Sequence, residues 1–278
     1  MRDLQFLKKK ANQLRMDCIQ AVHESPLKHG HLGGCLSIAE IIVALYYEFM
    51  RIDPQNPNWT DRDRCLLSKG HNCLIWYAAL ADLGYFPYEE LKTYKDLGSI
   101  LQGHPDACKC PGIDYTSGSL GQGLSIGIGM ALDSVRVGRD NRVYVIMSDG
   151  EMQEGMVWEA VMAASHYKLD NLTCIVDRNN LQVNGLTEEI MKIEPLEYRF
   201  ATFGWNSIRI DGNQMESVVA ALDLAREHKS KPTVLICDTI KGKGVSFMEN
   251  VMEWHAKNLT DAEYETAIEE LRSGAGNK

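Results

Sequence analysis

Two kinds of hydrophobic pattern alternate along the chain. Residues 4–25 carry apolar positions at helical spacing, and residues 37–50 repeat it with Ile38, Ile41, Ile42 and Leu45 on one face. Residues 72–83, 157–167, 217–228 and 260–271 read as further helices. Between them stand short apolar runs of another type: Val143-Tyr144-Val145-Ile146-Met147, Leu172-Thr173-Cys174-Ile175-Val176 and Thr233-Val234-Leu235-Ile236-Cys237. These runs are β-branched and continuous rather than alternating, as parallel strands covered on both faces should be. Asn206-Ser207-Ile208-Arg209-Ile210 is a weaker fourth. The alternation predicts an α/β fold, a doubly wound, mostly parallel sheet with helices on both faces. No repeat, low-complexity tract or Ser/Pro-rich linker divides residues 1–278, so one domain is expected, with a loose tail at 273–278. Such sheets bind ligands beyond the carboxyl ends of their strands.

Composition narrows the partners. The 278 residues include 29 Lys and Arg against 38 Asp and Glu, a net charge of −9. That balance argues against nucleic acid and against an anionic membrane surface. At 45% hydrophobic and 24% charged residues, the chain is globular rather than disordered. No apolar run approaches the ~18 residues of a membrane span. The first ten residues are charged and lack the apolar core of a secretory signal, so a cytoplasmic protein is expected. The eight cysteines then read as free thiols, mostly buried. Cys108-Lys109-Cys110 has no second pair at zinc spacing.

The strands empty into polar residues. Ser148-Asp149-Gly150-Glu151-Met152-Gln153-Glu154-Gly155 follows the first run, Asp177-Arg178-Asn179-Asn180 the second, and Asp238-Thr239-Ile240-Lys241-Gly242 the third. Adjacent parallel strands would bring Asp149 and Asn179 together. A carboxylate beside a carboxamide suits a hard divalent ion such as magnesium, which shares its oxygen ligands with phosphates. Gly150 lets the backbone approach a phosphate, and a helix start nearby would aim free N–H groups at it. Either dipeptide alone reads equally as a turn; their placement after two apolar strands favours a magnesium–diphosphate site. A second segment, Tyr115-Thr116-Ser117-Gly118-Ser119-Leu120-Gly121-Gln122-Gly123, lacks the glycine order of a dinucleotide fingerprint and of a P-loop. Its glycines offer a backbone that can lie against a flat ligand. Four histidines, His31, His71, His104 and His255, stand in Gly-rich or turn contexts, where they could handle protons of substrate hydroxyls. His23, His166 and His228 fall in predicted helices and read as structural.

Taken in order, Gly30-His31-Leu32-Gly33-Gly34, Ser68-Lys69-Gly70-His71, Gly103-His104-Pro105-Asp106, Gly118-Ser119-Leu120-Gly121-Gln122-Gly123 and Asp149-Gly150-Glu151-Met152-Gln153-Glu154-Gly155, closed by Asn179, resemble transketolase over nearly the whole chain. The resemblance implies thiamine diphosphate with magnesium or calcium, and transfer of a two-carbon unit from a ketose phosphate to an aldose phosphate. It implies that Asp149, Asn179 and the carbonyl of Leu181 bind the metal. Gly150 and His71 would meet the diphosphate and thiazolium, and Gly118 and Leu120 the aminopyrimidine. His31, His104 and His255 would line the substrate channel. Glu154 would stand at a subunit interface, paired with a catalytic glutamate of the partner.

Transketolases of the family carry three domains, whereas this sequence matches the first and ends after a helix and a short polar tail. It therefore reads as a complete N-terminal subunit of a split transketolase. A separate C-terminal subunit would complete each site in an α2β2 heterotetramer. Residues 153–167, with Met156, Trp158, Val161 and Met162, read equally as an interface element and as a core helix. A pentose-phosphate role is the default expectation. Open alternatives are the alpha-type subunit of a 2-oxo acid dehydrogenase, a deoxyxylulose-phosphate synthase fragment, and a non-catalytic cofactor-binding module.

Overall fold

A computed structural model describes residues 2–274. Five parallel strands form the central sheet: β1 (Arg64–Leu67), β2 (Val143–Ser148), β3 (Leu172–Arg178), β4 (Asn206–Asp211) and β5 (Thr233–Asp238), in the order β1-β2-β3-β5-β4. The three expected strands and the weaker fourth are all present, each a residue or two longer at its carboxyl end. β1 is new. Its four residues at the sheet edge are too few to stand out by pattern.

Side chains alternate between two apolar layers. Cys65, Leu67, Tyr144, Ile146, Ile175, Leu235 and Cys237 join one buried cluster. Leu66, Val143, Val145, Met147, Cys174, Val176, Val234 and Ile236 join the other. This explains the unbroken apolar runs, since neither face meets water. The first layer packs on helices α1 (Leu4–Glu24), α2 (Leu32–Ser37), α3 (Ala39–Ala44), α4 (Cys73–Asp82), α8 (Met215–Glu227) and α9 (Asp261–Ser273). The second packs on α5 (Gly123–Arg136), α6 (Gly155–His166) and α7 (Leu196–Thr202). Every residue of α4 from Cys73 to Ala81 is buried, so this helix lies inside the first layer. At α1 the Asp3 carboxylate accepts the Phe6 N–H at 2.9 Å, and Thr260 and Glu263 form a capping box at α9.

Several expectations need correction. The single helix foreseen at 37–50 is α3 followed by a π-helical turn, Leu45–Phe49, and a separate helix, α2, precedes it and ends at Ser37. α2 escaped the pattern because it contains Gly33 and Gly34. A side chain at Gly33 would approach the Trp254 carbonyl at 2.7 Å, and one at Gly34 would strike Asn72. Close packing, not flexibility, is what these glycines serve. His228 caps the end of α8 rather than lying within it. In the expected tail, Ser273 closes α9 and Gly274 is its left-handed cap; residues 275–278 lie outside the described residues. All eight cysteines are free, seven of them buried and Cys108 exposed. Among the described residues no helix is long and apolar enough to cross a membrane.

Candidate active site

Four of the five strands deliver polar residues to one end of the sheet. β1 runs into Ser68 and Lys69, β2 into Asp149 and Gly150, β3 into Asn179, and β5 into Thr239 and Lys241. β2 and β3 pair Ser148 with Asp177, so Asp149 and Asn179 leave the sheet side by side. The Asn180 N–H donates to Asp149 Oδ2 at 2.6 Å, and the Gly150 N–H to Asp149 Oδ1 at 2.7 Å. The Leu181 N–H donates to Asn179 Oδ1 at 3.1 Å. Lys241 Nζ donates to the Leu181 carbonyl at 3.0 Å.

Asp149, Asn179 and the Leu181 carbonyl thus bring a set of oxygen donors to one end of the sheet, and the Lys241 ammonium contacts the last of them. One carboxylate, one amide oxygen and one carbonyl fit a hard divalent cation that draws its remaining ligands from a phosphate. No cluster of three His, Cys, Asp or Glu side chains competes for a metal among the described residues. Burial, and then the charge of Asp177, push the Asp149 carboxyl up to about 6. A bound cation would reverse that shift, because it favours the ionised form.

Beneath this set Asp177 is fully buried. Its carboxylate accepts Ser37 Oγ at 2.9 Å and Asn179 Nδ2 at 2.9 Å, together with Lys69 Nζ and Thr239 Oγ1. Burial alone would raise its pKa, but the Lys69 charge and these donors outweigh it and hold the carboxyl below its ordinary value. By taking the Asn179 N–H, Asp177 fixes the amide so that Oδ1 belongs to the donor set.

Glu151 braces the opposite wall. Its carboxylate accepts Ser68 Oγ, the Gly121 N–H at 2.7 Å and the Ser148 N–H at 3.2 Å, joining three loops. Gly121 has φ +82°, and a Cβ there would lie 2.8 Å from Glu154 Cβ, so the Gly-rich loop lies directly against the start of α6.

The four loop histidines converge. The His31 ring centroid is 5.3 Å from His71, 5.6 Å from His255 and 6.3 Å from His104, and His71 lies 5.1 Å from His255. Burial, and then the Lys95 charge, push His31 down to about 3. Burial, and then Lys241, push His255 down to about 4. His71 and His104 are lowered chiefly by burial. All four are neutral at pH 7, each holding one N–H and one lone pair. His31 Nδ1 and Asn72 Oδ1 are buried without a partner, which leaves hydrogen-bonding capacity for a ligand.

A single cavity of about 460 Å³ collects every residue nominated from the sequence: His31, His71, His104, Gly118, Leu120, Asp149, Gly150, Glu154, Asn179, Leu181 and His255. Residues 7–276 match the family described as transketolase, thiamine diphosphate binding domain. The chain belongs to the transketolase family. It is 43% identical over 265 residues to the 6-deoxy-6-sulfo-D-fructose transketolase subunit SqwG of a Clostridium species, covering 95% of this chain and 96% of that one. It is 40% identical to an apulose-4-phosphate transketolase subunit of Phocaeicola vulgatus, covering 96% of this chain and 94% of that one. Against human transketolase it is 38% identical over 99% of its length but spans 43% of that protein. The crystal structure of Campylobacter jejuni transketolase superposes with a TM-score of 0.91 at 30% identity, over 98% of this chain and 43% of that one.

Within this transketolase domain several site residues had no role assigned from sequence. Asp177, Glu151 and Lys241 come at or after the ends of apolar runs, which was the available signal, whereas Lys69 follows the edge strand that pattern did not reveal; the work of all four depends on burial and on partners from elsewhere in the chain. Lys69 and Asp177 are separated by 108 positions. Glu154, by contrast, is exposed at the cavity rim. The face foreseen on residues 153–167 divides. Val161 is core, whereas Met156 and Met162 are exposed.

Proposed function

We propose that this chain is the thiamine diphosphate-binding subunit of a two-chain transketolase, completed by a C-terminal subunit in an α2β2 heterotetramer. It would move a two-carbon ketol unit from a ketose phosphate to an aldose phosphate. The observation that carries this reading is one cavity in which the oxygens of Asp149, Asn179 and Leu181 meet four neutral histidines. Asp149, Asn179 and the Leu181 carbonyl would hold magnesium, or calcium, and through it the diphosphate. Gly150 and His71 would meet the diphosphate and thiazolium, and Gly118 and Leu120 the aminopyrimidine. When bound, the cofactor supplies the electron sink for carbon–carbon cleavage.

The chain's own residues bind and move protons. His31, His104 and His255 are neutral and can pass protons among sugar hydroxyls. Lys241 Nζ donates to His255 Nδ1 at 3.1 Å, so the ring proton stands on Nε2. Glu154, exposed at the rim, is free to pair with a glutamate of the partner. Exposed Ile126 and Val135 of α5, with Met156 and Met162 of α6, give this region apolar surface that suits association. Two relatives that match nearly end to end are named as subunits, which supports a separate partner chain. Their names specify different sugars, so the substrate is proposed only as a class. Eight free thiols and a net charge of −9 fit a cytoplasmic enzyme with neither nucleic acid nor membrane as partner. Two-carbon transfer, assayed with thiamine diphosphate and magnesium, tests the proposal. Cofactor binding without transfer would redirect it to another thiamine-dependent chemistry.

A further inference from the structure

The histidine cluster extends beyond the cavity wall. The His29 ring meets His31 edge-on, with centroids 6.1 Å apart. Lys95 Nζ donates to His29 Nδ1 at 3.2 Å and to the His29 carbonyl at 3.1 Å. An ammonium only donates, so His29 carries its proton on Nε2. An ammonium also has three N–H groups, and the two acceptors on His29 are neutral. Among the described residues no ion pair joins Lys95 to a carboxylate. This half-buried lysine therefore has no carboxylate partner, its ammonium lying over the Tyr94 ring at 5.4 Å from the centroid.

The surroundings admit this lysine at a defined place. Its Cε lies 2.8 Å from where a Cβ on Gly103 would stand, so the stem passes close against the backbone just before His104. The acids lining the cavity, Asp149, Glu151 and Glu154, all follow β2 and belong to its metal-type side. The Lys95 side presents an ammonium and neutral imidazoles. His71, on the expected diphosphate side, touches His31 rather than His29, so Lys95 is separated from it by two ring contacts.

We propose that Lys95 and His29 form a subsite for an oxyanion at the end of the sugar substrate, the third Lys95 N–H and His29 Nε2–H being its donors. This deepens the transketolase reading and rests on it, since it places part of the anion recognition on this chain. Charge-assisted hydrogen bonds favour such an oxyanion over water, whereas a neutral sugar end gains nothing from the charge.

The assembled enzyme, loaded with cofactor and metal, is titrated by calorimetry with ribose 5-phosphate and separately with ribose. Lys95→Met should weaken ribose 5-phosphate binding about tenfold, as expected for a lost charged contact, and leave ribose binding within twofold. His29→Ala should weaken it about threefold, and Lys95→Arg should retain most of it. Unchanged binding of ribose 5-phosphate by Lys95→Met would overturn the subsite. So would an equal loss for both sugars, or a loss of cofactor affinity, which would assign the charge to the diphosphate. Each variant is checked for an unaltered melting temperature. Normal sugar-phosphate binding without two-carbon transfer by the parent enzyme would sink the transketolase reading while leaving the subsite standing.

Discussion

Replacing Asp177 by Asn should destabilise the chain far more than an ordinary isosteric change. The carboxylate is fully buried and takes four side-chain donors, among them the ammonium of buried Lys69. An amide offers one oxygen and adds two N–H groups, so it leaves the Lys69 charge unpaired. Breaking a buried ion pair from one side typically costs about 3–5 kcal/mol. For a chain of this size that corresponds to a fall in melting temperature of roughly 6–20 °C. The assay is a thermal melt of Asp177→Asn, Lys69→Met and the double variant. The double variant should recover at least about 2 kcal/mol of the summed losses, because neither charge is then stranded. The contribution of Asp177 is also pH-dependent. Its folded pKa is depressed below 3.8, so its stabilisation is present above about pH 4 and is lost as the pH falls further. Asp177→Asn melting within 2 °C of the parent, or strictly additive losses, would refute the reasoning.

Other expectations follow from the same geometry. Asp149→Ala should abolish metal-dependent cofactor binding in the assembled enzyme, measured by cofactor titration; tight binding would remove Asp149 from the metal set. With its folded pKa raised to about 6, Asp149 stabilises the metal-free fold below about pH 4 and that contribution fades as the pH rises through 6. Metal affinity should accordingly fall by up to about tenfold per pH unit below pH 6 and level off above it, which calorimetry across pH 5–8 can follow. His104→Ala should lower turnover with little change in cofactor affinity, and unchanged turnover would deny it a substrate role. Gly121→Ala should weaken the site and the fold together, since it adds a Cβ at φ +82° against Glu154; a melting temperature equal to the parent's would contradict the close approach.

What could be read from the sequence depended on whether a residue's role was local. Buried strands were legible because covering both faces forces an unbroken apolar run, as in Val143–Ser148 and Leu172–Arg178. The edge strand Arg64–Leu67 was too short to declare itself. The start of α2 was hidden because Gly33 and Gly34 are there for contacts with Trp254 and Asn72, which no local propensity records. At the site, Asp149 and Asn179 could be found because each follows a strand. Lys69, Asp177 and Glu151 could not be given roles, because their partners come from different loops and only folding makes them adjacent. His29 and Lys95 gave no signal, since neither lies in a Gly-rich motif that points to chemistry.

The most direct test of the account is the rate of two-carbon transfer at fixed concentration of this chain while the partner subunit is added. With thiamine diphosphate and magnesium present, the chain alone should be inactive. The rate should climb with added partner and stop climbing at one partner per chain. Full activity of the chain alone would contradict the split active site.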